Sequence, residues 1–332
     1  MSKLLITGGT GFIGSTLARS CLAHGDEVRI LGLANTQAES ENLQRLKEER
    51  FKIIEGSVVD ENTVRKAVEG VDIVYHLAAA QHEAGKSDQH FHNVNVVGTR
   101  NMLQASCAVG AKRFVHGSTI GVYDARSGTV RDDSPTVPDN VYGRTKLEAE
   151  RVVASFREKL PTVTIRISET YGPGDSRLLK LFRGIQKGKY FHIGRSDNLH
   201  HPVYVDDLVA ALRLAAQREQ ACSQTMVVPG FESLTTRQMV MKIAKVLGVK
   251  PPVLNVPLWP LWTMATLTEW MLRPIGIQPP LHRRRMHFFS KSFEFSGDKA
   301  RSLLGYQPRV SFEEGAKRTA DWYQRMGMVG TS

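Results

Sequence analysis

Short apolar runs alternate along the first half of the chain with stretches whose apolar residues recur every three or four positions. Residues 4–7, 28–33, 52–55, 72–77 and 113–117 are strand-length and apolar-rich, and residues 12–23 and 91–109 between them carry helical spacing. Residues 163–166 and 226–228 read as a sixth and a seventh strand. Strands that alternate with helices predict an α/β fold with a doubly wound parallel sheet. After Tyr171 the pattern loosens, and prolines stand at positions 251, 252, 257, 260, 274, 279 and 280. The expected organisation is a dinucleotide-binding domain over 1–170, with 202–230 partly returning to it. Residues 171–332 then build mostly a smaller C-terminal substrate domain at the carboxyl ends of the strands, where open α/β sheets bind ligands.

Two strings bring chemistry to this frame. Residues 7–14 read TGGTGFIG directly after the first apolar run. Gly8 permits a tight turn, Gly11 lets backbone amides approach a pyrophosphate, and Gly14 lets the helix lie close to the strand. Thr10, Phe12 and Ile13 belong to the same turn, whose unpaired N–H groups favour an anion. Far downstream, Tyr142 and Lys146 stand at i and i+4 on one helix face. A free phenol has a pKa of about 10, and a nearby ammonium favours the phenolate. The pair is a proton-transfer device placed beside a dinucleotide.

With these strings the chain resembles the extended short-chain dehydrogenase/reductases, the NAD-dependent epimerase/dehydratase group. Further segments carry the likeness: His76-Leu77-Ala78-Ala79, Asn95-Val96-Val97-Gly98-Thr99, residues 117–123, Tyr171-Gly172-Pro173-Gly174-Asp175, residues 203–207, and Lys299-Ala300 through Leu304-Gly305-Tyr306. The resemblance implies a Rossmann-type sheet and an enzyme using NAD or NADP. It implies Tyr142 as acid/base, with Lys146 as its electrostatic partner and ribose ligand. A hydroxyl at the end of strand five falls on Thr119, and a one-residue slip would exchange it for Ser118. It places Leu77, Ala78, Ala79, Asn95, Ser57 and Val58 around the cofactor.

Three departures matter. The ribose-binding acid expected at the end of strand two is replaced by Gly32, followed by Leu33, Ala34 and Asn35, so NAD is only slightly favoured over NADP. Gly56-Ser57 stands where the family commonly has Gly-Asp. Glu169 stands where sugar-nucleotide members commonly have asparagine, and a carboxylate would repel a diphosphate by about 1 kcal/mol or more at contact. Alternatively Glu169 turns away and pairs with an arginine.

The segment 259–272 is rich in Trp, Leu and Met, and Arg273, Arg283, Arg284 and Arg285 follow it. It suits a peripheral membrane contact, a lid on an apolar pocket, or a core or dimer helix. Arg283 and Arg284 could equally clamp a diphosphate. The closest likeness of the carboxyl half is to 3β-hydroxysteroid and sterol dehydrogenases. Hydride transfer at a secondary alcohol or ketone of an apolar substrate is therefore the leading expectation. A nucleotide-sugar 4-epimerase or dehydratase is the alternative, and a non-catalytic NAD(P)-binding redox sensor a third.

Composition adds bounds. At 332 residues and 41% hydrophobic content the chain can bury a full core. Three dispersed cysteines suit a reducing compartment, and the first strand starts too early for a leader peptide, so a cytoplasmic protein is expected. The net charge of +11 suits phosphate-bearing ligands or anionic lipid, but no nucleic-acid module accompanies it. His82, His90 and His92 lack the partners of a metal site. A homodimer is an expectation by analogy only.

Overall fold

Apolar runs that can be buried on both faces become the strands of one parallel sheet. They are β1 (Lys3–Thr7), β2 (Glu27–Gly32), β3 (Lys52–Glu55), β4 (Ile73–His76), β5 (Arg113–Thr119), β6 (Thr162–Ile167) and β7 (Gln224–Val228). The computed structural model describes residues 1–81, 85–123, 128–272 and 291–330. The sheet runs β7-β6-β5-β4-β1-β2-β3, every neighbouring pair parallel. The winding reverses at β1, which lies between β2 and β4. A ligand crevice is expected outside the carboxyl ends at that point.

Each expected strand is present, with ends displaced by at most two residues. Strand two stops at Gly32 rather than 33, and strand five continues through Thr119. The expected helix over 91–109 needs correction. It is a composite of Asp88–His92, a π-helical turn over Asn93–Val97, and Gly98–Ala108. Periodicity does not register a widened turn, because both flanks keep their apolar spacing. Such turns often sit at functional sites.

Both faces of the sheet are covered. Helices Phe12–Ala23 and Val205–Gln217 pack on one face with Leu4, Ile6, Val115 and Ile165, and Met102, Leu103, Val64 and Val153 fill the other. Beyond β6 a second core forms around Tyr171, Phe182, Val240, Phe312 and Tyr323. Its walls are the helices Leu179–Gln186, Thr236–Val246 and Phe312–Arg325.

Helix Leu258–Leu272 departs from a core helix: Trp259 is 72% and Trp270 77% exposed, while Ala265 is buried. No helix among the described residues is long and apolar enough to cross a membrane.

Candidate active site

The glycine turn is built by close backbone approach. Gly8 has φ +68°, and its N–H donates to the Leu31 carbonyl at 2.8 Å. A Cβ there would lie 2.8 Å from the Ala78 nitrogen, and one at Gly14 would lie 2.3 Å from the Gly8 oxygen. Either contact is impossible, so the turn admits no side chain at these two positions. Gly11 is the N-cap of helix Phe12–Ala23, with no side-chain cap. The first N–H groups of that helix are thus left for an anion. This cradle fits a dinucleotide diphosphate. Gly9, not singled out from sequence, is held by Ile30, whose Cγ2 would lie 2.6 Å from an added Cβ.

The missing acid at the end of β2 has a steric cause. A Cβ on Gly32 would lie 2.7 Å from Thr10 Oγ1, whose hydroxyl donates to the Leu33 carbonyl at 2.7 Å. Thr10 therefore occupies the place an aspartate would need. Ser57 Oγ accepts from Val59 N–H at 3.2 Å, and Val58 is buried.

The carboxyl end of β4 is fixed by a chain of hydrogen bonds. Thr7 Oγ1 accepts from the Ala78 N–H at 3.1 Å and bonds His76 Nδ1 at 2.8 Å. On the other side of the ring, His76 Nε2 meets Thr99 Oγ1 at 2.9 Å, and that hydroxyl donates to the Asn95 carbonyl at 2.6 Å. The consistent polarity is a neutral imidazole with its proton on Nε2. Burial first, and then the charge of Lys146, push the His76 pKa down to about 3. Leu77 and Ala79 are half-buried beyond this ring.

Asn95 is fully buried in the π turn. Its Oδ1 accepts from Ala80 N–H at 2.8 Å, and its Nδ2 donates to the Ala80 carbonyl at 3.2 Å and to Thr145 Oγ1 at 2.9 Å. It thereby ties the loop after β4 to the helix Val141–Ala154.

That helix starts at Asn140, whose side chain accepts from Gly143 N–H at 3.0 Å. A Cβ on Gly143 would lie 2.5 Å from the Gly121 carbonyl. The glycine lets the helix close on the turn that follows β5, the same turn whose Gly121 N–H donates to Thr119. Tyr142 is half-buried, whereas Lys146 is 1% exposed. Burial lowers the Lys146 ammonium to about 8, with Glu150 opposing the shift.

Thr119 and Ser118 take different surroundings. Thr119 is half-buried, and its Oγ1 accepts from Gly121 N–H at 3.0 Å. Ser118 is buried and donates to Glu150 Oε1 at 2.5 Å. Glu150 in turn accepts from Arg166 Nε at 3.0 Å and Nη2 at 2.8 Å. Arg166 also donates to the Tyr123 hydroxyl. Glu150 went unnoticed in the sequence. It continues the Tyr142, Lys146 spacing by one more step of four, and that is the signal that could have found it.

Glu169 follows β6, two residues beyond Ile167, which pairs with Thr119. Its side chain is 44% exposed although Ser168, Thr170, His200 and His201 around it are buried. The carboxylate meets His200 Nδ1 at 3.1 Å, a histidine partner rather than the arginine expected if it turned away. Burial raises its pKa, but His200, Arg177 and His201 more than offset this, and the net shift is downward. It is a carboxylate held in its charged form, partly exposed and paired with His200. Arg283 and Arg284 lie outside the described residues.

A doubly wound sheet with a glycine cradle at β1, beside a helix that carries a tyrosine and a buried lysine, is the arrangement of a dinucleotide-dependent enzyme. The comparisons agree. The model of the NAD dependent epimerase/dehydratase family matches residues 4–228, and the chain belongs to that family, the extended short-chain dehydrogenase/reductases. It is similar to the 3beta-hydroxysteroid-dehydrogenase/decarboxylase isoform 2 of Arabidopsis thaliana, 29% identical over 351 residues. The match takes in 97% of this chain but only 62% of that protein, so this chain spans less than two thirds of its length. A 2-alkyl-3-oxoalkanoate reductase of Stenotrophomonas maltophilia (strain K279a) is 30% identical over 330 residues, 95% of this chain and 98% of that one. In fold, the chain resembles the crystal structure of UDP-glucuronic acid 4-epimerase from Bacillus cereus in complex with NAD. The TM-score is 0.79 at 24% identity, covering 98% and 99% of the two chains.

Proposed function

We propose that the protein is an NAD(P)-dependent dehydrogenase or reductase acting on a secondary alcohol or ketone of a largely apolar, steroid-like substrate. The observation that carries the substrate class is Glu169, a partly exposed carboxylate held in its charged form beside the end of β5. A nucleotide-sugar diphosphate held there would meet like charge in a partly desolvated site. Two relatives, named for 3beta-hydroxysteroid and 2-alkyl-3-oxoalkanoate chemistry, support a largely apolar alcohol or ketone in place of a nucleotide-sugar. Residues 1–170, with 202–230, form the cofactor half in this reading, and 171–332 mostly the substrate half.

The bound nicotinamide supplies the hydride acceptor or donor. Tyr142 exchanges a proton with the substrate oxygen, and Thr119 donates a hydrogen bond to that oxygen. Lys146, enclosed beneath them, holds positive charge against the phenol and toward the ribose, which favours the phenolate. Asn95 and Thr145 keep that helix in register with the loop after β4. NAD and NADP should bind within about tenfold of each other, because Gly32 offers neither an acid nor a cation.

The test is NAD(P)H formation with 3β-hydroxysteroids and long-chain secondary alcohols, beside calorimetric titration with UDP. Turnover is expected with the alcohols, and Tyr142→Phe should reduce it about 100-fold or more while keeping cofactor affinity. Micromolar UDP affinity that is lost in Arg283→Ala would replace this reading with the sugar-nucleotide one.

A further inference from the structure

The loop after β6 carries a cation that neither the glycine motif nor the tyrosine–lysine pair accounts for. Gly174 has φ +99°, and an added Cβ would lie 3.1 Å from the Phe12 ring, so the loop lies directly on the first residue of the cradle helix. Three residues on, the Arg177 guanidinium sits over the same ring at 5.9 Å from its centroid. The arginine is pinned from one side. Its Nε donates to Asp175 Oδ1 at 2.7 Å, its backbone N–H reaches the same oxygen at 3.1 Å, and its Nη2 donates to the Thr170 carbonyl. Asp175 is itself buried, and its carbonyl accepts from the Tyr323 hydroxyl at 2.6 Å. The remaining nitrogen, Nη1, has no protein partner among the described residues, and the side chain is 52% exposed.

We propose that Arg177 is a phosphate ligand of the dinucleotide, delivered to the glycine cradle from the second half of the chain. A guanidinium fixed through Nε and Nη2 has already lost most of its rotamer freedom. It leaves Nη1 for an anion in the cradle with little further ordering. Phe12 sets its height, and Asp175 and Tyr323 tie its position to the second core. Cofactor binding then draws on both halves of the molecule. Asp175 holds Arg177 through Oδ1, and Glu169, paired with His200, lies within electrostatic reach of the guanidinium, which faces it with opposite charge.

The inference rests on the cofactor reading above, and the experiment separates the two. NAD and NADP are titrated calorimetrically into the wild-type protein, Arg177→Ala and Arg177→Lys, at low and high salt, with ligand-free melting measured alongside. Arg177→Ala should weaken the preferred cofactor about tenfold or more, the scale of a lost charge-assisted hydrogen bond. Arg177→Lys should fall between the two, because it keeps the charge without the fork. The wild-type affinity should fall more steeply with salt than that of the alanine variant. Unchanged affinity in Arg177→Ala overturns the proposal. So does an equal loss in both variants with a lowered melting temperature, which would mean that the arginine only braces the loop. A wild-type protein that binds neither dinucleotide refutes the cofactor reading itself, before any variant is compared.

Discussion

Neighbouring hydroxyls on β5 meet opposite environments, and the physical cause is the two-residue period of a strand. Ser118 turns to the same face as His116, toward the helix Val141–Ala154, and is consumed by Glu150. Thr119 stands at the open end of the strand. The two substitutions should therefore separate. Thr119→Val should lower turnover about 100-fold with little change in stability. Ser118→Ala should leave turnover within a few-fold but cost about 1–2 kcal/mol, because a buried carboxylate loses a donor. Steady-state kinetics and urea unfolding of both variants decide this, and the reverse pattern would move the catalytic hydroxyl to Ser118. The motif alone located the hydroxyl to within one residue. Which of the two is free depended on Glu150, 32 positions away from Ser118.

The helix Val141–Ala154 is one element with two faces of work. Tyr142, Lys146 and Glu150 recur every four residues, so the pair proposed to handle the proton and the buried anchor share a stripe. Glu150 holds Arg166 of β6 in an ion pair whose side chains are 8% and 9% exposed. Removing one partner of such a pair leaves a buried charge uncompensated, at about 3–5 kcal/mol. Glu150→Ala should unfold at correspondingly lower urea concentration, and Glu150→Gln should recover part of the loss by keeping one acceptor for Arg166. Equal stability of wild type and Glu150→Ala would mean that water replaces the carboxylate. The start of this helix and its YxxxK face were legible in the sequence. Its distance from the sheet was not, because Gly143 matters only once the Gly121 carbonyl faces it.

At the scale of the whole molecule, buried imidazoles couple the core to pH. His76 and His116 are both fully buried and stacked, with ring centroids 5.6 Å apart. Burial, and then Lys146, depress both, and His76 lowers His116 further. The unfolded chain takes up these protons below about pH 6.5, while native His76 refuses its proton until about pH 3. Stability present above pH 6.5 should thus be lost as pH falls through that window, by about 1.4 kcal/mol per pH unit for each imidazole. Neither ring nitrogen of His116 has a partner among the described residues. His116→Phe should therefore hold or raise stability at pH 7 and flatten the acid slope. Urea unfolding at pH 7, 6 and 5 measures it, and an unchanged slope would assign acid unfolding to the carboxylates instead.

Local periodicity and turn chemistry were sufficient for the alternating strands and helices, the glycine turn and the tyrosine–lysine face. Each depends on residues within a few positions of one another, where steric and hydrogen-bonding rules act directly. The absence of an acid at Gly32 was visible too, but its cause was not: Thr10 fills the space from another strand's turn. Likewise the π turn at Asn95, the partly exposed carboxylate of Glu169 and the pinned guanidinium of Arg177 appear only when distant segments meet. Their surroundings come from which distant groups packing brings together, and that depends on the geometry of the assembled sheet and its second core rather than on any stretch of sequence.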